Sequence, residues 1–330
     1  MTILISFGTR PEFIKIKPLI NEFKKNHIPI KTLFTGQHKD IIGGSADISL
    51  KIKQGKNRLD NIVKSVLDNN RIFHGITSVM VQGDTTSAFA IALAAFHRKI
   101  PVIHLEAGLR TYNIDNPYPE ELNRVAIDRM SSILLCPTTL NKDNLYKEGI
   151  TKNVYITGNT GLDNLKGIKT SYSNTVLCTL HRRENHNLLK EWFSVLNALS
   201  IKYPELSFII PLHPNPSVQR HKKWLGKRIS IFPPMTHRDT INILKYCRFV
   251  ITDSGGIQEE SSFLKKRAFI CRWATERTEC IGKSSILCKT PSDLFKNFIK
   301  YSNDYRVITS SPYGNGNSSK KIISILKKYI

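Results

Sequence analysis

The sequence predicts an α/β protein of two doubly wound, Rossmann-like domains facing a central cleft, a GT-B-like arrangement. Three observations carry this. Short β-branched and apolar runs alternate with helical patterns almost from end to end. The alternation restarts after a polar stretch near the middle. At 330 residues the chain can give each half a core of its own. Continuous apolar runs joined by helices are the mark of parallel strands covered on both faces.

ILISF (3–7) precedes a helix from about Glu12 to Lys25, and KTLFT (31–35) leads through a basic stretch to a helix over 59–70. SVMVQ (78–82) precedes the alanine-rich TTSAFAIALAAFHR. VIHLE (102–106) precedes a loop and a helix beginning near Pro119, and ILLCP and NVYITG add two strands. GIKTSYSNT, around residue 170, is short and polar and reads as a link, dividing the chain into domains 1–168 and 169–330. After it come TVLCTL, a helix over 187–202, SFIIPL, a helix near 217–225 and RISIF. A helix from about Arg238, RFVITD, the SGGIQEESSFL helix, AFICR and a final pair of helices complete the second half. The last helix is expected to pack back on the first domain.

Composition narrows the function classes. No apolar run approaches the roughly 20 residues that span a bilayer, and the start lacks the zones of a signal peptide. The six cysteines form no CxxC pair and mostly sit in apolar runs such as LLCP and VLCT. A reducing cytoplasm is therefore expected, without a zinc or disulfide framework. His181 and His213 are not spaced as a metal pair. The net charge of +23 raises nucleic acid as a partner. The lysines, however, are scattered over many helices without a long basic block, which suits a solvated surface or an anionic small substrate better.

In open parallel sheets, ligands bind beyond the carboxyl ends of the strands. Six polar motifs fall at that edge: GTRPE, GDTTS, AGLRT, HRREN, HPNP and DSGGIQEE. Ser254, Gly255 and Gly256 form a strand-to-helix turn whose N–H groups can hold a phosphate, or else an ordinary helix start capped by Ser254. Glu260 can meet a sugar hydroxyl or face solvent. Neither a P-loop nor GxGxxG is present. Asp84 and Glu106 stand at the ends of two strands expected to be close. Asp84 could instead cap the TTSAF helix. Glu120 and Arg124 share a helix face, which a simple surface pair would also explain. Three converging carboxylates would push at least one pKa upward, separating proton donors from acceptors. His181 leads a polar run at a strand end and, with the domains paired, would face them.

The motif series GTRPE, TGQH, GDTTS, HLEAGLRT, PEELNR, ITGNT, HRREN, HPNP, DSGGIQEE, TER and SPYGNG, over residues 3–320, resembles that of UDP-N-acetylglucosamine 2-epimerases. The resemblance implies a GT-B-like fold, usually a homodimer, with a UDP-sugar substrate and neither metal nor redox cofactor. It implies interconversion of UDP-GlcNAc and UDP-ManNAc by elimination of UDP to 2-acetamidoglucal and its re-addition. By motif, Asp84, Glu106 and Glu120 take the acid–base places and His181 the place beside the diphosphate. Arg10, Lys15, Gln37, Ser254, Gly255, Gly256, Glu260 and Arg277 take UDP-sugar contacts, with Arg124 and His213 as further candidates. The chain departs from the pattern in being shorter around 38–76 and 164–174, which puts a regulatory nucleotide-sugar site after TGQH in question. Met235, Thr240, Trp273 and Thr278 are also unusual, and leave the sugar open. Rival readings are a hydrolysing epimerase releasing ManNAc, an enzyme for a 6-deoxy UDP-HexNAc and, further off, a GT-B glycosyltransferase.

Overall fold

The computed structural model describes residues 2–37, 46–52 and 56–329. The chain forms two compact units, residues 1–166 with 313–330 and residues 167–312. The first opens with β1 (Ile3–Phe7), α1 (Arg10–Lys25), β2 (Ile30–Phe34), β3 (Ile48–Ser49) and α2 (Arg58–Leu67). It continues through β4 (Ser78–Gln82), α3 (Thr86–His97), β5 (Val102–Leu105), α4 (Glu120–Met130), β6 (Ile133–Cys136), α5 (Thr139–Lys147) and β7 (Val154–Ile156). The sheet is parallel, ordered β3-β2-β1-β4-β5-β6-β7, so the strand order reverses between β1 and β4.

The second unit runs β8 (Thr175–Thr179), α6 (Leu189–Lys202), β9 (Ser207–Pro211), α7 (Pro216–Gln219), β10 (Ile229–Phe232), α8 (His237–Leu244) and β11 (Phe249–Thr252). It ends with α9 (Gly255–Phe263), β12 (Arg267–Cys271), β13 (Ser285–Cys288) and α10 (Pro291–Tyr301). Its parallel sheet is ordered β10-β9-β8-β11-β12-β13 and reverses between β8 and β11. α11 (Ser318–Leu326) belongs to the first unit, where Ile322, Ile323 and Leu326 complete a core with Ile5, Ile16, Leu19 and Phe23. An aromatic core of Trp192, Phe193, Phe208, Phe249, Phe269 and Phe298 holds the second unit.

Local chemistry accounts for the starts of the helices. Thr9 and Glu12 form a capping box with a proline in the first turn of α1, and Thr85, Thr236 and Thr290 cap α3, α8 and α10. The linker is tied to the second unit by buried Lys266. Its ammonium bonds Ser171 O and lies 4.2 Å from the Tyr172 ring centre.

The two-residue β3 had no expected counterpart, and three further elements differ from the sequence reading. The helix expected near 217–225 is only the one turn of α7 and a 3₁₀ turn at Lys222–Trp224, because Val218 alone of these residues is buried to anchor it. α5 had no expected counterpart: its inner face carries Asn141 and Asn144 beside Leu145, so no apolar period betrays it. β13 is four residues among polar neighbours, too short a run to register. Among the described residues no helix is long and apolar enough to cross a membrane.

Candidate active site

Each unit presents its polar motifs where its strand order reverses, the position at which doubly wound sheets bind ligands. In the first unit, Gln82 at the end of β4 lies in register with Leu105 at the end of β5, so Asp84 and Glu106 follow neighbouring strands. Glu106 is buried and has φ +66°, a left-handed conformation that a non-glycine residue holds only when its surroundings fix it. They do so through three side chains. Lys15 Nζ on α1 lies 2.6 and 2.7 Å from its two oxygens, Asn159 Nδ2 donates at 2.8 Å, and Gln82 donates to Oε2. A carboxylate at the end of a buried strand is thus paired.

Asp84 does not cap α3; Thr85 does. Its carboxylate instead pairs with Arg124 on α4, and Asn123 Nδ2 donates 2.9 Å to its carbonyl oxygen. Arg124 also bonds Glu121 Oε2 at 3.0 Å, so its pairing is buried and includes the residue after Glu120. Glu121 in turn accepts from Thr111 N and Tyr112 N at 2.9 and 2.8 Å. Glu120 is the half-buried first residue of α4, after a loop with cis peptide bonds before Pro117 and Pro119. Arg10 is exposed on the first turn of α1. Gln37 follows β2, and its Oε1 accepts from Ser87 N at 3.1 Å, beside the GDTTS turn. His38, which completes TGQH, lies outside the described residues, as do 39–45.

Sequence reasoning passed over Glu12. It is buried and accepts from Gly8 N at 3.0 Å, Thr9 N at 2.6 Å and Thr85 Oγ1 at 2.7 Å, joining the β1 and β4 turns. Burial pushes its carboxyl above the usual value, although these bonds act the other way. The T-x-x-E spacing of a capping box was the available signal.

The second unit's edge is built differently. Asp253, fully buried after β11, accepts from His181 N and Arg182 N at 2.8 Å each and from Asn185 Nδ2 at 3.1 Å. Its other oxygen lies 3.6 Å from His181 Nδ1. The half-exposed His181 ring stacks on that of His213, with centres 5.2 Å apart and planes 10° from parallel. Ser254 precedes α9 but makes no side-chain cap, so the first N–H groups of that helix are not satisfied by its hydroxyl. A Cβ at Gly255 would stand 2.6 Å from Arg277 Nη1, so any side chain there would force the buried guanidinium to shift. Arg277 is buried and bonds Glu259 and Glu276. Glu260 bonds His237 Nε2 at 2.7 Å, a partner that sequence reasoning did not supply.

The family model described as UDP-N-acetylglucosamine 2-epimerase matches residues 21–327. The chain belongs to that family.

It is 36% identical to the UDP-N-acetylglucosamine 2-epimerase of Neisseria meningitidis serogroup A, over 99% of this chain and all of that protein. It is also 36% identical to the Campylobacter jejuni protein of the same name, over 99% and 97% of the two chains. The N. meningitidis UDP-GlcNAc 2-epimerase crystal structure, bound to UDP-GlcNAc, superposes with a TM-score of 0.91 at 34% identity, covering 99% of this chain and all of that one. Acinetobacter baumannii MurG, at 12% identity and a TM-score of 0.61, shares the fold. The expected GT-B-like architecture and the resemblance to this enzyme family both stand.

Proposed function

We propose that this enzyme inverts carbon 2 of UDP-GlcNAc to give UDP-ManNAc, by eliminating UDP and adding it back. Carbon 2 carries no acidic proton, so the path runs through loss of the leaving group. A carboxylate of the first unit takes the C2 proton as the C1–O bond breaks, and the electron pair of that bond leaves with the diphosphate. The C1=C2 bond of 2-acetamidoglucal results. UDP oxygen then attacks C1 while an acid of the set delivers a proton to C2 from the opposite face.

The observation that carries this reading is Glu106, a carboxylate held in a left-handed backbone and bonded by Lys15, Asn159 and Gln82 at the switch-point edge. Such fixation is what proton transfer at a set position requires. Asp84 and Glu120 share the acid–base work. The N-terminus of α9, with Ser254, Gly255 and Gly256, takes the departing diphosphate beside His181 and His213. Arg10, Lys15, Gln37, Arg124, Glu260 and Arg277 contact or support the UDP-sugar. The chain works as a homodimer, for which the exposed Ile114, Tyr118 and Leu122 around the start of α4 offer apolar area.

Incubation with UDP-GlcNAc in heavy water, read by NMR, tests the proposal. The expected products are UDP-ManNAc and recovered UDP-GlcNAc, both deuterated at carbon 2. Accumulating free ManNAc and UDP would establish a hydrolysing enzyme instead. Turnover only of a 6-deoxy UDP-HexNAc would reassign the sugar, and transfer only to an added acceptor would make it a glycosyltransferase.

A further inference from the structure

We propose that His104 is a positioning residue that fixes Asp84, Glu106 and α4 relative to one another, an inference that rests on the catalytic reading above. His104 lies in β5, two residues before Glu106, and is fully buried. Its Nε2 is 2.9 Å from Gly83 O and its Nδ1 is 2.6 Å from Asp128 Oδ1. A carbonyl oxygen only accepts, so Nε2 donates. The second Asp128 oxygen accepts from Arg110 Nη1 at 2.8 Å and from Gly108 N at 3.2 Å. The always-cationic Arg110 guanidinium keeps Asp128 ionised, so its first oxygen can only accept and Nδ1 donates as well. Arg110 is held in turn by Glu148, at 2.7 and 2.8 Å.

One ring therefore spans two acceptors that belong to different elements. Gly83 lies between Gln82, which bonds Glu106, and Asp84, which bonds Arg124. Asp128 lies on α4, the helix that carries Glu120 and Arg124, and it also holds the backbone two residues after Glu106. Its burial and pairing outside the open edge distinguish His104 from a group that touches substrate. No other neutral or cationic side chain of this size offers two opposed donors on a rigid ring. Glutamine or asparagine would turn an acceptor toward either the carbonyl or the carboxylate.

His104→Gln is expected to lower kcat about 10- to 100-fold, since sub-ångström misplacement of reacting groups carries such costs. KM for UDP-GlcNAc stays within about twofold. In an Asp84→Asn background the same change should add less than about threefold, because a device that acts through Asp84 has little left to misplace. Retention of full kcat by His104→Gln, while Asp84→Asn and Glu106→Gln lose theirs, would overturn the positioning role. Fully multiplicative losses in the double variant would overturn it too. If Asp84→Asn and Glu106→Gln themselves keep turnover, the catalytic reading fails and takes this inference with it. Should His104→Gln not fold, NMR of the ¹⁵N-histidine-labelled wild-type enzyme decides. Protons on both His104 ring nitrogens support the bridge, and a proton on only one contradicts it.

Discussion

The two switch points use one device for different ends. In each, a buried carboxylate collects backbone N–H groups just past the first strand of the pair: Glu12 takes those of Gly8 and Thr9, and Asp253 takes those of His181 and Arg182. Beyond that the edges part. The first unit surrounds its turn with side-chain charge locked in pairs, Lys15 with Glu106 and Arg124 with Asp84 and Glu121. The second leaves a helix start without a side-chain cap, lined by glycine and flanked by a half-exposed histidine stack. A locked carboxylate suits a proton moved at a set position. Backbone donors suit an anion that must be held, released and taken back. On the proposed reading the same topology serves two chemistries, and the difference lies in which atoms crown the strands.

The sharpest way to break this contrast is Glu106→Gln. Turnover is expected to fall roughly 10²- to 10⁴-fold, the usual share of acid–base catalysis, with UDP affinity nearly unchanged. Kinetics and UDP titration calorimetry check both halves. Next in size is Asp128→Asn, which breaks a buried ion pair and should cost about 3–5 kcal/mol of stability at neutral pH. Burial works against ionising Asp128, yet His104 and Arg110 outweigh it and hold its carboxyl below the usual 3.8. With a folded value below the unfolded one, its contribution is present above about pH 4 and is lost as pH falls further. Denaturant midpoints followed from pH 6 to pH 3 should thus drop in the wild type, and the Asp128→Asn profile should be flatter over that window.

Gly255→Ala probes the other edge. The new methyl meets the Arg277 guanidinium and disturbs the first turn of α9. UDP affinity should weaken about tenfold, with KM rising more than kcat falls, opposite in pattern to Glu106→Gln. Equal losses in kcat from both variants would erase the distinction between the edges. The smallest effect expected is from Thr85→Ala, which removes the α3 cap and a bond to Glu12 for about 1 kcal/mol of stability, readable as a shift in Tm.

Much of this was written in the sequence because strand ends are punctuated. VIHLE, SVMVQ and RFVIT are largely apolar until the polar residue that leaves the sheet, so Asp84, Glu106 and Ser254 could each be placed at the carboxyl edge of its own sheet without coordinates. The partners that lock them could not. Lys15 meets Glu106 across 91 positions, and Asn159 meets it across 53, distances at which no periodicity speaks. His104 sits within an apolar run, where burial looks the same as for its neighbours and only the carbonyl of Gly83 and the carboxylate of Asp128 reveal its role. Arg277 was assigned to the nucleotide by motif, but the motif could not show that its guanidinium lies beside Gly255 and bonds Glu259 and Glu276. Position along a strand is a local property; pairing is not.

The central claim is that fixed acids and a diphosphate-holding turn act on one molecule that comes apart at C1–O and rejoins. Supplying the enzyme with 2-acetamidoglucal and UDP in heavy water tests it most directly. UDP-GlcNAc and UDP-ManNAc deuterated at carbon 2 are the predicted products. An enzyme that epimerises UDP-GlcNAc yet forms no UDP-sugar from these two components would contradict the account.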